Sequence, residues 1–424
     1  MALKKNLSLM GVTAAFRLGA GLLTFSVVAR LLGPESFGVL MLWLSVSALI
    51  TIITNYGLTP YVLREMGANP GSAEVIINEG ITGKLFLTAI VIVLSVGGAW
   101  YFGIDHKQVF FSLLLAAVAD CFSEFLNAGF RARNRFDVET KIATVAALTH
   151  ASIVCGSVYL SPTMETAAMA YAASRLVVLA ITVPAVAKCF AMPQLAGFHA
   201  AFARLRNTVS YAVDFGFQNL FGQIDSIVLN SFVGPVAVGL HQAGMRIFLG
   251  GAQVAPILAN VFLPRASAST QSKAGFSRES RRVQFVFLGF GAAFGLALAV
   301  LAQPLVSLIF GQGYRALIPL LPLFGLLFFL RFAAGAWGLI LTAAGQQSYR
   351  MQLGLLHWLV IGVAAWFLVP SLENRGWLIS LCAGNLFQGF VYATRGRSFL
   401  DKSWDIFGIT AVGCLLFLPF LDLN

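Results

Sequence analysis

Apolar runs of about twenty residues recur along the chain, separated by short gaps rich in charge, Pro and Gly. A run of that length crosses a hydrocarbon core as a helix, where backbone groups must bond within the helix because no water is present. The pattern predicts twelve spans, near residues 8–29, 37–58, 85–103, 109–129, 141–160, 167–187, 209–232, 236–262, 284–303, 317–343, 351–369 and 377–393. A further run, 406–420, is short for a full crossing. The first run follows Lys4 and Lys5 like a secretory leader, but it is too long and lacks an A-x-A-like cleavage site, which predicts an uncleaved first helix.

The punctuation between runs repeats. Gly33, Pro34 and Gly38 in "ARLLGPESFG" fall on Gly234, Pro235 and Gly239 in "NSFVGPVAVG" at a constant offset of 201. Proline suits the first turn of a new helix, and glycine permits a tight turn and close helix contact. A weaker echo pairs "YFGI" (101–104) with "IFGQ" (309–312). The expected architecture is an all-α polytopic membrane protein of two parallel-repeat six-helix bundles. Its domains are an N-terminal lobe (1–190), a cytoplasmic linker (191–208), a C-terminal lobe (209–393) and a cytoplasmic segment with a short apolar helix (394–424). Like-oriented halves of this kind bind substrate near the midplane and work by alternating access.

Composition sharpens the class. Apolar residues are 58% of the chain and charged residues 11%, whereas a soluble domain is roughly a quarter charged. The net charge of +11 lies in short gaps, which argues against a soluble domain and against nucleic acid as a partner. Placing the N-terminus inside puts twenty Lys or Arg on the cytoplasmic side against Arg30, Lys107, Arg315 and Arg375 outside. The five Cys and five His are scattered without C-x-x-C or H-x-x-x-H spacing, so neither metal nor other cofactor is expected.

All eight lysines are expected at span ends or in loops, but Arg17, Arg175, Arg246 and Arg331 fall mid-span. Each costs ~2.5–3.5 kcal/mol at mid-bilayer on insertion scales. Arginine binds phosphate or carboxylate with a two-pronged fork and stays charged when desolvated, so these four are candidate ligands for an anionic substrate. The competing reading pairs them with buried acids: Asp120 and Glu124 in the fourth span, or Asp214 and Asp225 in the seventh. Polar stripes at helical spacing add Gln242, Gln253 and Asn260 beside Arg246, and Asn219, Gln223, Ser226 and Asn230 with Gln218 alongside. Thr13 and Thr24 flank Arg17 in the same way. Asp225 and Asp214 are candidates for a coupling ion, Na⁺ or H⁺, although Asp214 could equally neutralise Arg204 or Arg206. Asp120 and Glu124, beside "RARNR", read as a structural ion-pair network, and His241 and His357 as packed or hydrogen-bonded.

Three stretches, "ARLLGPESFGVLMLW" with "NYGLTPYVLRE", "QIDSIVLNSFVGPVAVGLHQAGMRI" and "PLVSLIFGQGYRAL", resemble the polysaccharide biosynthesis protein family. This family contains the Wzx-type O-antigen flippases of the multidrug/oligosaccharidyl-lipid/polysaccharide exporter superfamily. The resemblance covers most of the chain up to about residue 393. It implies two six-helix lobes around a cationic cavity in the bacterial inner membrane. The implied substrates are undecaprenyl-pyrophosphate-linked sugar repeat units, and the implied partners are membrane lipids and polysaccharide polymerase or assembly proteins. Arg17 and Arg246 stand where phosphate binding would carry over. The family often has an acid where this chain has Asn55, which leaves ion coupling at that position in doubt. Two other readings compete: a Na⁺- or H⁺-coupled multidrug or metabolite antiporter, and a membrane polymerase, ligase or glycosyltransferase. The outer loops are too short, and too poor in acid–base pairs, to favour an enzyme.

Overall fold

The computed structural model describes residues 2–190, 194–220, 222–400 and 413–421, with the side chains of 2–18, 70, 217 and 218 outside that description. Every regular element among the described residues is helical. In chain order they are α1 (Ala2–Asn55), α2 (Leu58–Ala68), α3 (Ala73–Tyr101), α4 (Lys107–Ala132), α5 (Phe136–Leu160), α6 (Met164–Phe190), α7 (Phe198–Leu220) and α8 (Ile224–Phe232). There follow α9 (Pro235–Ala252), α10 (Val254–Ala268), α11 (Lys273–Val300), α12 (Ala302–Ile309), α13 (Leu321–Ala343) and α14 (Gln347–Arg397). Each of the twelve predicted runs falls mainly on helix among the described residues. Run 406–420 lies mostly outside the described residues. The chain forms two compact units, Met1–Asn230 and Ser231–Asn424.

The repeated punctuation is backbone geometry. Gly33 (φ 74°) breaks α1 just before Pro34, and Gly234 (φ 123°) precedes Pro235 at the start of α9. A Cβ at either glycine would meet nothing within 4 Å, so conformation alone selects glycine there. The echo holds too, with Gly103 at φ 57° and Gly311 at φ 80°. A third break, at Glu373 (φ 48°), divides α14 between the eleventh and twelfth runs.

Large apolar side chains face outward. Trp100, Tyr101 and Phe102 at the end of α3 are each more than three-quarters exposed, as is Tyr159 near the end of α5. Aromatic rings at helix ends are the anchors of a membrane–water interface. Together with nine long apolar helices among the described residues, this makes the chain a multi-pass membrane protein.

In the first unit, Phe125, Leu126 and Phe130 of α4 join a core with Tyr61, Ile77, Phe190 and Leu205 from α2, α3, α6 and α7. In the second unit α13 is central: 72% of its apolar window is buried, against 17% for α14. It packs along α11 through a ladder of Phe290, Phe294, Phe328 and Phe332 rings, with centroids 4.5–6.1 Å apart. Beyond that ladder the backbones of Gly295 and Gly325 meet so closely that a Cβ on either would strike the other's carbonyl. Small residues allow such approach between membrane helices, where packing replaces the hydrophobic effect.

Three boundaries differ from expectation. Helix α3 begins at Ala73 rather than 85, because Pro70 opens a short turn (Pro70–Ser72) that leads directly into helix. Residues 198–208, expected in a linker, are the first half of α7. The expected division at 209 falls inside the first compact unit, which ends at Asn230. Polar residues expected in loops are held by bonds within the protein. Glu79 of α3 accepts from Arg204 of α7 at 2.7 Å. Asn78 Oδ1 and Thr82 Oγ1 each accept at 2.9 Å from backbone N–H groups, of Gln194 and Ala196 respectively.

Candidate functional site

Within the first unit several cations are engaged. Arg175 of α6, expected to face a ligand, instead pairs with Asp120 of α4 at 2.9 Å. Next to it, His150 Nδ1 lies 2.8 Å from the Ser174 hydroxyl. Glu124 accepts from Arg131 at 2.8 Å, and Arg131 reaches Glu139 at 2.7 Å. Arg204 spans Glu79 and the Tyr61 hydroxyl.

The polar stripe of the seventh span is interrupted. Helix α7 ends at Leu220 and α8 begins at Ile224, with the Gly222 N–H bonding back to Asn219 O at 3.2 Å. Asn219 and Gln223 are half-buried on opposite sides of this turn, and Asn219 spends its amide N–H on Phe215 O at 2.8 Å. The continuous i, i+4, i+7, i+11 face expected here therefore does not form. Asp225 sits in the first turn of α8 and accepts from the Ser226 N–H at 2.8 Å, while the Ser226 hydroxyl bonds Ser45 of α1 at 3.0 Å. An acid in a first turn complements the positive end of the helix dipole. Asp214 is exposed on α7. The side chains of Arg17 and Gln218 lie outside the described residues.

In the second unit Gln242 and Arg246 are half-buried one turn apart on α9. Gln253 and Asn260 are exposed; Gln253 follows the end of α9 at Ala252 and stays in the right-handed region (φ −62°, ψ −15°). His241 is buried between the Phe324 and Trp377 rings, and His357 Nδ1 lies 2.9 Å from Gly384 O. Arg331 stands out: it is exposed on α13 although its neighbours Leu330 and Phe332 are 4% and 2% exposed. Its guanidinium lies 5.8 Å from the Phe248 ring and makes no ion pair among the described residues.

Sequence reasoning missed Lys84. Expected at a span end, it lies fully buried within α3 and donates to Thr54 O at 3.1 Å and Asn55 Oδ1 at 3.4 Å. The signal was available: "NPGS" with Pro70 is a helix start, and it places Lys84 several turns inside.

Two all-helical units with outward-facing apolar residues have counterparts among known folds. The backbone is similar to an inward-facing multidrug resistance MATE family transporter of the MOP superfamily, with TM-score 0.65 at 14% identity, covering 91% of this chain and 97% of the other. An outward-facing form matches at 0.63 and 16%, covering 93% and 95%. A point mutant of the Vibrio cholerae MATE transporter VcmN matches at 0.54 and 15%, covering 94% and 97%. The class is therefore an all-α, multi-pass membrane protein of MATE-like fold. The family model "Polysaccharide biosynthesis protein" matches residues 3–269, and the chain belongs to that family. It is similar to the capsular polysaccharide biosynthesis protein CapF of Staphylococcus aureus, at 24% identity over 41% of this chain and 46% of that protein. It is also similar to the amylovoran biosynthesis protein AmsL of Erwinia amylovora, at 24% over 38% and 42%. The chain thus spans less than half the length of the curated relatives it matches.

Proposed function

We propose that this protein is a flippase rather than an enzyme. Its substrate is an undecaprenyl-pyrophosphate-linked oligosaccharide repeat unit of an O-antigen, capsule or exopolysaccharide. It moves that unit across the bacterial inner membrane by alternating access, with its N-terminus in the cytoplasm. Membership in the polysaccharide biosynthesis family supports the glycan, and the MATE-like fold supports movement across a membrane.

The observation that carries the reading is Arg331, an exposed residue on the most enclosed helix of its unit, whose guanidinium has no carboxylate on it among the described residues. A guanidinium facing lipid there costs ~2.5–3.5 kcal/mol, whereas one facing an anionic headgroup is used. Arg246 and Gln242 on α9 join it as headgroup ligands, with Arg17 proposed from sequence alone. Arg175 drops out of that set because Asp120 holds it.

The test is transfer of lipid-linked glycan in proteoliposomes. Arg331→Ala and Arg246→Ala should insert normally and lose at least about tenfold in rate, the equivalent of roughly 1.4 kcal/mol. Full transfer by both variants removes the anionic site. Preferential export of a cationic dye would replace this reading with that of a multidrug antiporter.

A further inference from the structure

Helix α1 ends at Thr54 and Asn55, and the chain turns through Tyr56 (φ 46°) and Gly57 (φ 62°) before α2 starts at Leu58. The last carbonyls of a helix lack intrahelical donors and carry the negative end of its dipole. Here one such carbonyl, Thr54 O, accepts from Lys84 Nζ at 3.1 Å, and the Asn55 amide oxygen accepts at 3.4 Å. The Phe122 and Phe125 rings of α4 stand 5.7 and 5.5 Å from the same nitrogen, the geometry of a cation over aromatic faces. Thr54 is fully buried, and its hydroxyl makes no hydrogen bond among the described residues.

Lys84 has no carboxylate within ion-pair distance among the described residues. Glu124 on α4 is an acid within electrostatic reach, and Arg131 already engages it at 2.8 Å. A buried charge needs such compensation, since desolvating an ammonium is expensive. A carbonyl oxygen, an amide oxygen and two phenyl faces supply it instead. Together they are the donor set of a small monovalent cation.

We infer that the first unit contains a monovalent-cation site at the α1–α2 break, and that its cation is the protein's own Lys84 ammonium. The tethered charge ties the last turn of α1 to α3 and α4. The opposite side of the break is fixed by backbone, because Gly57 lies directly against the Tyr211 backbone of α7. Without the lysine stem, the site takes a free primary alkylammonium or an alkali cation. The inference concerns folding and cation binding, so it stands or falls independently of whether the chain moves a glycan.

Thermal unfolding of the full chain in nanodiscs tests it, with Na⁺, K⁺, n-propylammonium and choline supplied at constant ionic strength. Lys84→Ala should lower the midpoint by at least about 4 °C. n-Propylammonium should restore part of that loss saturably, choline should not, and the wild type should respond to neither. Lys84→Gln keeps hydrogen-bond donors without charge and should stay low. A wild-type midpoint in Lys84→Gln overturns the inference, as does a folded Lys84→Ala that none of these cations stabilises. Should Lys84→Ala not fold, Asn55→Leu decides: a lowered midpoint supports the oxygen site, and an unchanged one overturns it.

Discussion

The first unit holds fifteen basic and twelve acidic residues; the second holds thirteen and five. The net charge of +11 therefore divides as +3 and +8. In the first unit several cations are answered locally: Arg175 by Asp120, Arg204 by Glu79, Arg131 by Glu124 and Glu139, Lys84 by oxygens and rings. In the second unit Glu279 pairs with Arg282 at 2.6 Å, Glu373 sits at the break in α14, and the other three acids lie outside the described residues. Arg331 is left with a ring and an open side. Residue type alone does not assign a role to a mid-span arginine; what the rest of its unit offers it does.

The sharpest way to break this contrast is to make Arg331 resemble Arg175. Gly335 lies one turn along α13 and is exposed, and a Cβ there makes only ordinary contact with Phe287. Gly335→Glu places a carboxylate at i+4 from Arg331. Glycan transfer should fall at least about tenfold, with Gly335→Ala unaffected. Equal transfer by the two variants would separate Arg331 from the substrate.

The breaks within the predicted runs 37–58 and 236–262 also differ between units. The first turns through left-handed Gly57 against the Tyr211 backbone, whereas the second bends at right-handed Gln253. Gly57→Ala combines backbone strain with overpacking and should cost more than about 2 kcal/mol in unfolding experiments; Gln253→Ala should be near neutral. Gly33→Ala and Gly234→Ala meet no neighbour, so each should cost only the backbone strain of about 1–3 kcal/mol, and by similar amounts if the repeat is physical. The smallest effect is expected at Asp120. Asp120→Asn should destabilise by roughly 0.5–1 kcal/mol, because the pair is partly exposed, and Asp120→Asn with Arg175→Gln should cost less than the two changes summed.

Much of this was legible in the sequence. Apolar length located the helices, and G-P-x-x-x-G located two left-handed turns at a constant offset, because only glycine holds that conformation without strain. Asp120 and Glu124 read as ion-pair residues and are found so, but three other charged residues misled. Glu79, Lys84 and Arg204 read as loop because polarity was equated with water, yet each finds its partner inside the protein. The stripe through Asn219 and Gln223 failed for another reason: helical spacing presumes an unbroken helix, and the chain turns at Gly222. Arg175 and Arg331 looked alike because pairing is a tertiary fact, set by what α4 brings to α6 and what nothing described brings to α13.

The glycine seam between α11 and α13 bears on how the molecule is made. Synthesis proceeds from the N-terminus, so α11 emerges before α13. Until α13 arrives, Gly295 lacks the Gly325 backbone that it packs against. The closing of the second unit therefore waits for a later segment, whose bare backbone at Gly325 is the one shape that fits this seam.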